Sequence, residues 1–168
     1  MDISPAGLDF IKGYERLALT RYIDQGGFPT IGWGHKLRAG ENYQTIDAAT
    51  ADQLLANDVS DAVSAVNRLV KVPLTQAMFD ALVSYAFNWG ASNFAASSTL
   101  RYLNSGDYSR AAKRIEEWPI TTNGQKSNGL IRRRGDESAM FLSQGLPDGS
   151  SFRRPVPTAQ PQRTPAKK

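Results

Sequence analysis

Apolar positions along the chain change period twice, and the changes mark the elements. Ser4-Pro5 is an N-cap followed by proline at the first helical position, and Leu8, Ile11 and Tyr14 follow at helical spacing. The pattern predicts a helix from Pro5 to Gly13 or Glu15, weakened by Gly7 and Gly13, with Glu15 where the chain leaves it. From Leu17 to Leu37 the texture becomes strand-like. Thr20, Tyr22 and Ile23 favour an extended chain, Gln25-Gly26-Gly27 is a turn, and Thr30 to Gly34 returns. A small twisted hairpin of about three short strands is expected. Its glycines either serve only the twist or let the backbone approach a ligand closely.

Beyond Ile46 the period is helical almost to Gly145. Leu55, Val59, Ala62, Val66 and Leu69 step by four and three, an amphipathic stripe on a helix that Pro73 terminates. Thr75 can cap the next helix, in which Met78, Phe79, Leu82, Val83, Tyr85, Ala86, Phe87 and Trp89 leave almost no polar face. That helix is expected at the centre of a helical lobe, ended by Gly90. Ser97 or Ser98 opens a short helix to Asn104, and Asp107 caps another that Pro119 stops after Trp118. A polar loop from Thr121 to Asn128 then precedes a last helix, Gly129 to Gln144, bearing Arg132-Arg133-Arg134. The fold class is therefore α+β and mostly helical. It should comprise a small N-terminal lobe with a short antiparallel sheet, a long connecting helix, a helical C-terminal lobe and a cleft between the lobes.

Composition narrows the functional classes. The 168 residues contain no cysteine and one histidine, which excludes disulfides, thiolate chemistry and a multi-histidine metal centre. No run of about 18 apolar residues and no basic-then-apolar leader is present, so neither a membrane span nor a secretory signal is expected. The net charge of +4 is localised: residues 147–168 hold five basic residues against one acid, together with five of the nine prolines. Residues 1–146 are therefore neutral, with 15 of each sign, and form the expected folded unit. Residues 147–168 read as a flexible basic tail suited to weak contact with anionic surfaces. A nucleic-acid binder would more often carry its excess charge on the folded part, so no nucleic-acid partner is expected.

Glu15, Asp24 and Thr30 are the candidate chemical residues. A helix abutting a hairpin can bring all three to one cleft wall. Glycoside hydrolysis needs two carboxyl groups in different environments, one donating a proton and one ionised. On spacing alone Glu15 and Asp24 read more readily as ordinary surface or capping carboxylates, because 16 acids supply many pairs nine residues apart.

The surrounding residues add a resemblance. Glu15, eight residues, Asp24, five residues and Thr30 is similar to the Glu-x8-Asp-x5-Thr signature of the phage-type lysozymes, the family 24 glycoside hydrolases. The flanking Phe10-Ile11-Lys12-Gly13-Tyr14 and Pro29-Thr30-Ile31-Gly32-Trp33-Gly34-His35 resemble the family too. So do Ala81 to Gly90, Ser98-Thr99-Leu100, Leu103 to Asp107, Ala111-Ala112, Trp118, and Gly129 to Arg134 with Glu137, which extends the likeness over residues 4–144. The resemblance implies a muramidase that cuts the β-1,4 bond between N-acetylmuramic acid and N-acetylglucosamine in peptidoglycan. Inversion at the anomeric carbon is implied, with Glu15 as general acid, Asp24 assisting and Thr30 orienting the water. It also implies saccharide contacts at Lys36, Phe87 and Thr99, no metal or cofactor, and a supporting role for His35 beside Glu15. His35 reads alternatively as a buried, hydrogen-bonded histidine, and Phe87 as a core residue. The run Arg132-Arg133-Arg134 reads as a solvated face, or alternatively one of the three reaches the cleft and holds Glu15 by charge.

The expected setting is a monomer made in the host bacterial cytoplasm that reaches the wall through a separate pore protein. Three other readings stand beside it: a virion-associated lysozyme, a non-catalytic peptidoglycan-binding module on the same scaffold, and a nucleic-acid or membrane-surface binder driven by the basic tail.

Overall fold

The computed structural model describes residues 1–122, 124–150 and 152. Helix α1 (Pro5–Lys12) is capped by Ser4, whose hydroxyl accepts from the Gly7 amide. It ends one to three residues earlier than the apolar spacing suggests, and Tyr14 and Glu15 lie in tight turns closed onto Ile11 and Lys12. Three strands follow, β1 (Ala18–Ile23), β2 (Pro29–Gly32) and β3 (His35–Lys36), antiparallel in the order β1-β2-β3. Tyr22 faces Thr30 across the first pair, and Ile31 faces His35 across the second. The outer side of β1 is closed by the chain at Gln44–Ile46, through Arg21 N–H to Gln44 O and Ile46 N–H to Leu19 O, each at 2.9 Å.

Asp47 caps the connecting helix α2 (Ala48–Leu69), whose buried stripe includes Leu55, Val59, Ala62 and Val66 as the periodicity requires. Its 22 residues span about 33 Å at the usual rise per residue. Helix α3 (Gln76–Trp89), capped by Thr75, is buried without interruption from Ala77 to Ala86. It packs against α1, α2 and α7 (Asn128–Leu142) and is the axis of the helical lobe. Helices α4 (Ala91–Ala95), α5 (Ser98–Asn104) and α6 (Tyr108–Glu117) complete the chain between them, with Ser97 capping α5 and Asp107 capping α6. Full burial of each large apolar side chain in this core is worth about 1.5–3 kcal/mol. No helix among the described residues is long and apolar enough to cross a membrane.

Two local expectations are corrected. The segment read as a polar loop before α7 contains a two-stranded ribbon, β4 (Thr121–Thr122) paired with β5 (Gln125–Lys126). Gly124, at φ 77°, supplies the left-handed residue that so tight a reversal needs. The short α4 after Gly90 has no periodic apolar stripe to announce it. It buries only Phe94, beneath the ring of Tyr85.

The proposed boundary at residue 146 falls in a turn, where the Leu146 amide donates to Ser150 O, and Phe152 packs against the core cluster. Apart from 147–150 and 152, the basic tail lies outside the described residues.

Candidate active site

Glu15 stands just beyond the end of α1, and its side chain keeps 26 % exposure. Its Oε1 accepts from Arg133 Nη1 at 3.0 Å, so the middle residue of the arginine run is the one that reaches it. Neither neighbour in the run does the same. Arg132 is exposed beside Asp136, and Arg134 is fully buried against Glu137. Helical geometry explains the split, because successive residues point about 100° apart and only one of three can face the exit of α1. Gly34, at φ 90°, lies across from Glu15, and a Cβ there would sit 3.7 Å from Glu15 Oε2.

Asp24 occupies the turn between β1 and β2. Its Oδ1 accepts from the Gly26 and Phe28 amides at 2.8 and 2.9 Å, and Oδ2 faces Lys36 Nζ at 3.3 Å. The Phe28 amide is the main reason the carboxyl stays below its usual range. Hydrogen bonding from Lys36 and Gly26 adds to this and outweighs partial desolvation. Lys36 also lies over the Phe28 ring at 4.4 Å, which holds the ammonium at the turn. Thr30 is buried on β2, and its hydroxyl donates to Phe28 O at 3.0 Å.

His35 is 3 % exposed and is held on both sides. Nδ1 faces Asp58 of α2 at 2.9 Å and Nε2 faces Glu41 at 2.8 Å, and no hydrogen bond or ion pair to Glu15 is present among the described residues. Burial is the strongest influence on the ring and favours its neutral form. The two carboxylates together overcome it and raise the pKa above the ordinary histidine value. These three side chains do not form a metal site, since the carboxylates sit at opposite ring nitrogens. Among the described residues no group of His, Asp or Glu is arranged to hold a metal ion.

Phe87 is half-buried near the end of α3, packed against the core, and lines a groove of about 260 Å³ that Asp58 and Asp61 of α2 also line. Thr99 is 1 % exposed, with its hydroxyl 3.4 Å from that of Tyr85.

Behind Glu15 lies a network that local pattern reading does not anticipate. Glu137 is buried and takes hydrogen bonds from Ser84 and from both Arg133 and Arg134, while Tyr14 Oη donates to Asp136. Partial burial and the Asp136 carboxylate push the Tyr14 phenol up to about 12. The signal available in the sequence was the spacing of Glu137, four residues after Arg133 and three after Arg134, which places it within reach of both. No buried side-chain nitrogen or oxygen among the described residues lacks a partner.

Comparison with known proteins gives this arrangement a context. The phage lysozyme family matches residues 12–137. The endolysin of Bacillus phage B103 is 39% identical over 145 residues, which cover 85% of this chain and 55% of that protein. The endolysin of Salmonella phage P22 is 40% identical over 147 residues, covering 85% of this chain and 99% of the relative. The chain thus spans about half the length of the Bacillus phage relative and nearly all of the other. Among solved structures, an endolysin from Escherichia coli O157:H7 phage FAHEc1 superposes with a TM-score of 0.78 at 39% identity, covering 88% of this chain and 97% of that one. A match over most of the chain, in both sequence and backbone, establishes that this chain belongs to the phage lysozyme family.

Proposed function

We propose that the chain is a muramidase, an endolysin that hydrolyses the β-1,4 bond between N-acetylmuramic acid and N-acetylglucosamine in peptidoglycan. The observation that carries the reading is the unequal treatment of two carboxyl groups. Glu15 is half-open and held by one arginine, while Asp24 is kept ionised by two backbone amides and a lysine. A glycosidase needs two carboxyl groups with separate partners, one to give a proton to the leaving oxygen and one to take a proton from water.

In this reading the Glu15 carboxylic acid gives its proton to the glycosidic oxygen as the bond from that oxygen to C1 breaks. A water attacks C1 from the opposite face, losing its proton towards Asp24, and the product carries the inverted anomeric configuration. Thr30 orients that water from the strand next to Asp24. His35 supports the sheet from beneath, through Asp58 and Glu41. Lys36 and Phe87 present surface to the saccharide, whereas Thr99, expected as a third contact, is buried against Tyr85 and backs the helical wall instead. Residues 1–146 are the catalytic unit, and the basic tail makes weak contact with anionic surfaces. The protein acts as a monomer on the cell wall after release from the host cytoplasm through a separate pore protein.

The test is lysis of outer-membrane-permeabilised bacteria followed by turbidity, comparing the native chain with Glu15→Gln. The native chain should clear the suspension. The variant should fold and lose about 10²–10⁴ of the rate, the usual share of general acid–base catalysis. Clearing by Glu15→Gln at the native rate overturns the assignment, and binding to walls without clearing by the native chain points to a non-catalytic module.

A further inference from the structure

We propose that Glu137 is a positioning residue for Glu15, acting through the guanidinium of Arg133. The inference rests on the reading of Glu15 as the general acid. Glu137 has no exposed surface and sits on α7 facing α3. Its Oε1 accepts from Ser84 Oγ at 2.7 Å and from Arg133 Nε at 3.2 Å, and its Oε2 accepts from Arg134 Nη1. Arg134 is anchored in turn by the Pro119 carbonyl at 3.2 Å, by the Asn88 side chain, and over the Tyr85 ring at 4.8 Å.

The consequence falls on Arg133, all three of whose nitrogens are used. Nε is held by Glu137, Nη2 reaches Ser84 at 3.4 Å, and only Nη1 is directed to Glu15, while the plane rests over Tyr14 at 5.1 Å. A planar fork fixed at one edge delivers its other edge to a single place, which a flexible cation does not do. A buried ion cluster of this kind is a weak source of stability, since apolar residues of similar volume often replace one at no cost. Its return is orientation. A carboxyl that must meet a glycosidic oxygen tolerates little misplacement, so a rigid partner beneath it matters more to the rate than to the fold.

The experiment measures kcat, KM and Tm on soluble peptidoglycan glycan strands for Glu137→Gln, Arg133→Gln and the double variant, with Glu15→Gln alongside. Glu137→Gln should lower kcat about tenfold, roughly the value of one charge-assisted contact, with KM changed less than about twofold. The double variant should be no slower than Arg133→Gln alone, because Glu137 has no other route to Glu15. A folded Glu137→Gln with native kcat overturns the proposal, as does a double variant whose losses multiply. Where Glu137→Gln does not fold, Ser84→Ala carries the test. It removes one hydrogen bond from Glu137 and one from Arg133 while keeping every charge, and native kcat in it is equally fatal. The two readings fail separately. An active Glu15→Gln removes the general acid itself, whereas an inactive Glu15→Gln beside a fully active Glu137→Gln removes only the positioning role.

Discussion

His35 Nδ1 lies 2.9 Å from Asp58 Oδ2, tying the last strand of the sheet to the middle of the long helix. Glu41 completes the clamp at Nε2, and it also accepts from the Arg38 amide at 2.7 Å. The raised pKa of His35 has a defined sign in stability. A group whose pKa is higher folded than unfolded contributes in full below its unfolded value, near 6.5, and the contribution fades as pH rises through the folded value. Glu41 is lowered, first by the Arg38 amide and then by His35, so its contribution is present above the ordinary carboxylate range and lost in acid.

Stability should therefore peak between those ranges and decline above about pH 6.5. In His35→Gln the decline on the alkaline side should flatten, with a loss of about 1–3 kcal/mol near pH 6. Thermal unfolding from pH 4 to 9 checks this, and an unchanged alkaline slope in the variant would remove the ring from the account.

Asp24 gives a prediction in activity. In the proposed mechanism it assists water as the carboxylate, and Lys36 is one of the groups that favour that form. Lys36→Met should move the acid limb of the kcat profile to higher pH without abolishing it, because the Phe28 and Gly26 amides remain. Rates at saturating substrate between pH 3 and 7 measure the shift. A limb that stays in place or moves the other way contradicts the assignment of Asp24.

Gly7 is where α1 meets α3. A Cβ there would lie 2.7 Å from Asp80 Cγ and 2.8 Å from Ile3 Cγ1, and Asp80 is itself bound to the Ser4 amide at 3.0 Å and the Ser4 hydroxyl at 2.5 Å. Gly7→Ala, ordinarily helpful in a helix, should here destabilise by about 1–3 kcal/mol, the cost of overpacking. Chemical denaturation settles the sign, and a stabilised variant would mean that the cap relaxes freely.

Truncation separates two boundaries. Ending the chain after Phe152 should leave unfolding unchanged, whereas ending it after Leu146 removes a ring packed on the core and should cost about 1 kcal/mol, part of the value of a fully buried side chain. Equal midpoints for the two truncations would place the edge of the folded unit at residue 146.

Much of the architecture was legible in local pattern. The caps at Ser4, Thr75 and Asp107 close within three residues, Ser97 was one of two candidates for its helix, and the stripe from Leu55 to Leu69 declares itself by its period, so a single sequence suffices to read them. The Glu15, Asp24 and Thr30 spacing was legible as a family signature, and the turn at Gln25-Gly26-Gly27 as glycine chemistry. Short elements were not. The β4–β5 ribbon has two residues a side, too few for a period to register, and α4 is held by the burial of Phe94 alone.

What the sequence determined by itself is the set of groups available: two separated acids, one histidine, three consecutive arginines and a largely apolar central helix carrying Gln76, Asp80, Ser84 and Asn88 at four-residue spacing. Which arginine serves Glu15, and what holds it there, was decided by the packing of α7 on α3 and on the exit of α1. The partners are 118 residues apart for Arg133 and Glu15, and 53 apart for Ser84 and Glu137. Periodicity reports which face of a helix is buried. The identity of the charge that meets that face depends on how helices distant in sequence are rotated against each other, which only the assembled core fixes.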